Sequence, residues 1–190
     1  MGFGAFYRHF SNFGFILLSS RISSRPLAPV DRPKPYDGLP IPNKILNFLG
    51  RKAPGLVYLF RRLVYPMVMG EPEEAGKKLA KSFPSVDRQL VEKPENQKMM
   101  VASVQEGYKQ GWQGPAQDDI VINSPWGFRL EDIDPRIDIW QGEVDKNVPI
   151  SQGKYQHEKI PNSALTIMLG QAHLYLLTNW RIVLEKLVAE

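Results

Sequence analysis

The sequence predicts an α/β fold with about three parallel strands, crossover helices and a large helical insertion between the first and second strands. Three observations favour this class. Short runs of branched apolar residues suit buried strands, residues 43–125 carry helical signals, and residues 126–190 follow the order strand, loop, helix, strand, loop, helix. With 190 residues, 43% of them apolar, the chain can build one globular domain with a sizeable core.

The first predicted strand lies in the N-terminal segment, residues 1–24. Its apolar run "FGFILL", residues 13–18, is too short to span a bilayer as a helix. Residues 1–30 contain arginines and serines but no acidic residue, which is also the composition of a mitochondrial transit peptide. Two interpretations stand: a helix end and strand in a cytoplasmic protein, or a mitochondrial targeting segment.

Residues 25–42, "RPLAPVDRPKPYDGLPIP", contain six prolines. Each proline fixes its own φ and moves the preceding residue away from the helical region. The composition therefore predicts an extended linker between the first strand and the helical insertion.

Residues 43–125 are predicted to form the insertion, a helical cap. Pro72 and Pro94 suit the first turn of two helices, and Ser85 is predicted to cap a short helix between them. An earlier helix, "LVYLFRRLV", is expected to end before Pro66. Its apolar residues recur with the spacing of one helical face: Leu56, Leu59, Phe60, Leu63 and Val64. The adjacent arginines, 61 and 62, are then expected on the solvated side or near a pocket mouth.

Composition excludes several kinds of site. The absence of cysteine excludes disulfides and thiolate chemistry, and three histidines far apart in sequence do not predict a metal centre. A net charge of +4 with scattered cations does not favour nucleic-acid binding. No cofactor, metal, nucleic acid or transmembrane segment is expected.

The last segment, residues 126–190, places two polar residues just after two predicted strands. Asp145 follows the strand 136–140, and His173 follows the strand 164–170. Parallel strands end at the same edge of a sheet, where α/β proteins place their sites. The carboxylate and the imidazole are therefore expected side by side. Taken alone, Asp145 is also typical of a turn residue that bonds its own backbone. A final helix, 174–188, is expected to bury one apolar face: Leu176, Trp180, Val183, Leu184 and Leu187.

The stretches "WQGEVDKNVP" and "IPNSALTIMLGQAH" resemble the acid and histidine segments of the α/β-hydrolase fold family. The proline-rich segment and the helices after it are similar to the linker and cap that many members insert before the acid strand. The resemblance implies that Asp145 and His173 are the acid and the base of a serine, acid and histidine triad.

The sequence departs from the family at the nucleophile. The pattern glycine-x-serine-x-glycine occurs nowhere, and the oxyanion-hole loop and first five strands of the family are missing. The chain is therefore expected to be the carboxyl-terminal part of a serine hydrolase that acts on an ester, amide or similar bond, inactive by itself.

The alternative is a non-catalytic binding or regulatory module that docks through an open sheet edge. An apolar edge is a template for pairing, so self-association or a protein partner is expected there. A small-molecule substrate is expected if the nucleophile-bearing half is present.

Overall fold

The computed structural model describes residues 22–24 and 28–188. The predicted strand at 13–18, His9 and most of the targeting-type segment lie outside these residues. The chain forms two compact units. One is the helical unit, Ile41–Pro125. The other, the sheet unit, comprises Trp126–Glu190 and the segment before Ile41, as far as the structure describes them.

The helical unit contains α1 (Ile41–Lys52), α2 (Pro54–Val68), α3 (Pro72–Ser82), α4 (Ser85–Val91), α5 (Pro94–Gly107) and α6 (Gln113–Ile122). Helices α1, α2 and α6 pack together, and α3, α4 and α5 form a second group. Pro72 and Pro94 occupy first turns, as predicted. Ser85 does not cap α4: the capping position is Pro84, whose side chain makes no capping hydrogen bond.

Helix α2 differs from its prediction in length and in its buried face. It continues through Pro66 to Val68, because a proline in the last turn removes only one backbone hydrogen bond. The buried side chain is Val57, whereas four of the five residues on the predicted face are 43–71% exposed. They are Leu56, Leu59, Phe60 and Leu63.

Helix α2 packs instead through a partly buried ion pair. Arg61 Nε donates to Asp119 Oδ2 at 2.6 Å, and Arg61 Nη2 donates to Asp119 Oδ1 at 2.8 Å. Arg61 Nη1 also donates to Tyr108 Oη at 2.7 Å. Burial opposes the charge, but these bonds outweigh it and raise the pKa of Arg61. Arg61 thus joins α2 to α6, and the expectation that it lies on the solvated side was wrong.

The sheet unit contains β1 (Ile22–Ser24), β2 (Ile137–Gly142) and β3 (Ser163–Met168). The strand order is β1-β2-β3, and both pairings are parallel. Helix α7 (Ile150–Lys159) connects β2 to β3, and α8 (Leu176–Val188) follows β3. The predicted α/β class with three parallel strands is confirmed.

Side chains of β2 alternate between two hydrophobic clusters. Ile139 packs with Leu130 and Ile160 in one cluster, and Trp140 packs with Tyr175 and Val183 in the other. Successive side chains of a strand point to opposite faces, so both faces of the strand are covered. Because both faces are covered, β2 lies in the core of the sheet unit. This packing also fixes the position of its carboxyl end, Gly142.

The last helix buries less of its apolar face than expected. Val183 is buried, but Trp180 is 58% exposed and Leu184 is 40% exposed. Helix α8 therefore presents apolar surface in the described structure. No helix in the ranges that the structure describes is both long and apolar enough to cross a membrane.

The proline-rich segment is not an extended linker where it is described. Residues 28–40, hereafter the strap, contain successive turns, with Asp37 N bonded to Lys34 O and Leu39 N bonded to Tyr36 O. Lys34 and Gly38 have positive φ, which reverses the chain. The strap buries apolar side chains, and helix α1 begins at Ile41, inside the predicted linker.

Candidate active site

Asp145 lies in the loop between β2 and α7, residues 143–149, which we call the acid loop. Its carboxylate is buried and shared between two groups of partners. Oδ1 accepts the backbone N–H of Asn147 at 2.8 Å and that of Val148 at 2.9 Å. These bonds fold the loop back on the carboxylate in an Asx-type turn. The other oxygen, Oδ2, remains for a partner outside the loop.

His173 supplies that partner. Its Nδ1 lies 2.9 Å from Asp145 Oδ2, and the two residues are only 7% and 5% exposed. The structure therefore brings the two predicted site residues together, 28 positions apart in sequence. The turn interpretation of Asp145 and the partner interpretation both hold, because each uses a different carboxylate oxygen.

The strand register explains why these loops meet. Gly142, the last residue of β2, pairs with Met168, the last residue of β3. Both strands therefore end at one level, and their loops leave the same edge. Two backbone bonds then tie the loops together: Glu143 N donates to Met168 O at 3.1 Å, and Val144 N donates to Gln171 O at 3.0 Å.

Gly142 permits this close approach. A Cβ added at this position would overlap the carbonyl oxygen of Ala172 and lie 2.9 Å from the carbonyl oxygen of Gln171. Any side chain would push the loop that carries His173 away from β2. This role of Gly142 could not be predicted locally, since its packing neighbour lies thirty residues further along the chain.

Gln141 holds the far end of the acid loop. This buried side chain donates from Nε2 to Val148 O at 2.8 Å and to Gly142 O at 3.1 Å. It therefore joins the two ends of the loop around Asp145. Sequence reasoning missed this residue, although its position within "QGEVDKNVP" and its polar character inside a buried strand were available signals.

His157 lies apart from this pair. It is an exposed residue of α7, and its Nδ1 lies 3.0 Å from Ser163 Oγ. The sequence around His157 predicts a surface or packing histidine, and its exposed position is that of a surface histidine. Within residues 22–24 and 28–188, no group of three His, Asp or Glu side chains is arranged to hold a metal ion.

Comparison with solved structures finds similar folds. A bromoperoxidase from Bacillus anthracis is 23% identical, with a TM-score of 0.50 over 70% of this chain and 47% of the bromoperoxidase. An esterase from Exiguobacterium antarcticum is 16% identical, with a TM-score of 0.48 over 72% of this chain and 46% of the esterase. An alpha/beta hydrolase fold protein from Nakamurella multipartita is 16% identical, with a TM-score of 0.38 over 66% of this chain and 48% of that protein.

The chain thus spans less than half the length of each of these structures. No family model matches the sequence, and no curated protein matches it.

Proposed function

We propose that this chain, whose fold is similar to part of an α/β-hydrolase, is the carboxyl-terminal part of a serine hydrolase and supplies its acid and its base. Asp145 is the acid, His173 is the base, and the substrate carries an ester, amide or similar bond. One observation carries the proposal: the 2.9 Å contact between His173 Nδ1 and Asp145 Oδ2, buried at paired strand ends.

The contact favours one tautomer of the imidazole. An ionised carboxylate only accepts hydrogen bonds, so His173 Nδ1 carries the proton. The lone pair of the neutral ring is then on Nε2, the atom that acts as base in a triad. Asp145 also stabilises the imidazolium that forms when His173 accepts a proton.

The proposed reaction is acyl transfer in two stages. His173 Nε2 takes the proton of a serine hydroxyl while the serine oxygen attacks the carbonyl carbon of the substrate. His173 then gives that proton to the leaving group. Water repeats the sequence and releases the acyl group. Serine lies between two glycines in the nucleophile turn of such enzymes, a pattern absent from these 190 residues. We therefore propose that the serine and the oxyanion donors come from sequence outside them.

Capture from the native cells tests the proposal. An antibody against "NWRIVLEKLVAE" isolates the protein after the cells are treated with a serine-reactive fluorophosphonate probe. A labelled species heavier than 21.7 kDa is expected, whereas the purified 190-residue chain should remain unlabelled and should hydrolyse no ester. Labelling of the 21.7 kDa chain itself would contradict the assignment of the nucleophile to another sequence.

Variants in the labelled species test the roles of the two residues. His173→Ala and Asp145→Asn should each lower hydrolysis by about 10⁴-fold, since the second leaves the imidazole without its orienting carboxylate. Matched controls are His157→Gln and Asp134→Asn, exposed residues of the same unit, which should remain active. Equal activity in a variant and its control would remove that residue from the proposed triad.

A second function, a docking module, is favoured by exposed apolar surface. Strand β1 pairs with β2 over the three residues that the structure describes there, and α8 exposes Trp180, Ile182 and Leu184 by 40–58%. A 21.7 kDa species that is unlabelled and recovered with a partner or as an oligomer would support docking or self-association at this surface.

A further inference from the structure

The strap contacts α7 at several points along its first two turns. Ala28 N donates to Gln152 Oε1 at 2.9 Å, a buried bond. Ser151 Oγ donates to Asp37 O at 3.3 Å. These contacts lie directly after the acid loop, because α7 begins at Ile150.

A buried cation reinforces the strap. The Arg32 guanidinium lies 5.3 Å from the centre of the Tyr155 ring on α7, and its Nη2 donates to Pro35 O at 3.1 Å. Burial lowers the pKa of Arg32, although Tyr155 and Asp37 oppose the shift. The strap is thus fixed both to itself and to α7.

The closest approach joins Gly38 to Pro149. Gly38 has a φ of +80°, and a Cβ added there would lie 2.7 Å from Pro149 Cβ and 3.2 Å from Pro149 Cγ. A proline ring cannot rotate away from such a contact, because its atoms are tied to the backbone. A side chain at position 38 must therefore displace backbone at this contact, either that of Pro149 or that of the strap itself.

That displacement reaches Asp145 through one residue. Pro149 follows Val148, whose N–H donates to Asp145 Oδ1 at 2.9 Å and whose carbonyl accepts from Gln141 at 2.8 Å. The path from Gly38 to the Asp145 and His173 pair consists of direct contacts.

We infer that the strap positions the acid loop through the contact of Gly38 with Pro149, which makes Gly38 a positioning residue for the pair. Its effect on hydrolysis rests on the proposed function, but its effect on the geometry of the pair does not. The region before the helical unit thereby sets the orientation of His173.

The test measures the Nδ1 proton of His173 by NMR in the 190-residue chain labelled with ¹⁵N-histidine, with His9→Gln and His157→Gln to assign the signals. Gly38→Ala should lose the hydrogen-bonded Nδ1–H signal or exchange it about tenfold faster with water, a factor equal to about 1.4 kcal/mol. The matched control is Gly127→Ala, because Gly127 has a similar φ of +74° and no atom within 4 Å of an added Cβ. An unchanged signal in Gly38→Ala would overturn the inference.

Two further variants keep the test decisive if Gly38→Ala does not fold. Gln152→Leu removes the acceptor for Ala28 N without adding bulk near Pro149, and should also speed proton exchange. Adding Pro149→Gly to Gly38→Ala removes the clash and should restore part of the signal. Exchange at the wild-type rate in Gln152→Leu, together with no recovery in the double variant, would contradict the inference.

Failure of the strap inference can be distinguished from failure of the proposed function. If Gly38→Ala disturbs the Nδ1–H signal while Asp145→Asn leaves probe labelling intact, the strap positions the pair but the triad roles fail. If Asp145→Asn abolishes labelling while Gly38→Ala keeps the wild-type signal, only the strap inference fails.

Discussion

Gly142 ends β2 directly against the carbonyl oxygen of Ala172, the residue before His173. This contact sets how near the histidine loop can come to the strand that leads to Asp145. The separation of the two strand ends is therefore fixed by the absence of a side chain at one position.

Gly142→Ala should lower the free energy of unfolding by about 2–4 kcal/mol, because backbone atoms rather than a flexible side chain must move. Urea denaturation followed by near-UV circular dichroism measures the change. The control is Gly170→Ala, where φ is +65° and no atom lies within 4 Å of an added Cβ, so only conformational strain of about 1 kcal/mol is expected. Equal losses in the two variants would show that the contact with Ala172 does not matter.

Gln141→Leu should destabilise the acid loop by about 1–3 kcal/mol, since the buried carbonyl of Val148 loses its side-chain donor. Hydrogen exchange of the Val148 amide should also become faster, because that N–H is bonded to Asp145 in the same loop. Gln110→Leu, at an exposed position, is the control. Unchanged exchange of the Val148 amide would show that Gln141 does not hold the two ends of the acid loop together.

Arg61→Lys should destabilise the helical unit by about 1–3 kcal/mol, because hydrogen bonds to charged groups are lost. Lysine keeps the positive charge, but its single ammonium group cannot reproduce the paired bonds to Asp119 together with the bond to Tyr108, and the Asp119 carboxylate is only 17% exposed. Arg62→Lys, its exposed neighbour, should change stability by less than about 0.5 kcal/mol. Helical circular dichroism during thermal unfolding measures both. Similar midpoints for the two variants would show that the ion pair of Arg61 with Asp119 does not stabilise the helical unit.

Stability of the helical unit should fall above about pH 10. Burial raises the pKa of Tyr108 above its usual value, so the folded state keeps the phenol proton at a pH where the unfolded chain releases it. This contribution is complete below the unfolded pKa and is lost as pH rises through the folded pKa. Denaturation midpoints between pH 8 and 11 measure the decline, which should be smaller in Tyr108→Phe. An equal decline in the wild-type chain and in Tyr108→Phe would show that other groups cause the loss of stability.

The strands and the site loops could be predicted because their signals are local. Branched apolar runs and the glycines and prolines beside them indicated β2 and β3 to within two residues at either end. Parallel pairing then required Asp145 and His173 to leave one edge. The catalytic roles of these two residues stay a prediction.

Other features depend on distant contacts that a sequence pattern does not contain. The apolar residues of α2 suggested one buried face, but Arg61 packs inward because Asp119 lies opposite, 58 positions later. Likewise, the prolines of the strap predicted an extended segment, whereas Gly38 and Lys34 turn the chain so that it packs on α7. In both places a polar or glycine residue, read locally, gave no indication of its partner.

The helical unit is inserted between two strands, β1 and β2, that pair directly with each other. Forming that pair requires closing a long loop, so we expect the local helices to form early and the β1–β2 pairing late in folding. The entropy of loop closure grows only slowly with length, by about 0.6 kcal/mol for each doubling. Insertions or deletions within the helical unit should therefore cost the sheet little, which leaves this unit free to diverge while the acid and histidine loops stay unchanged.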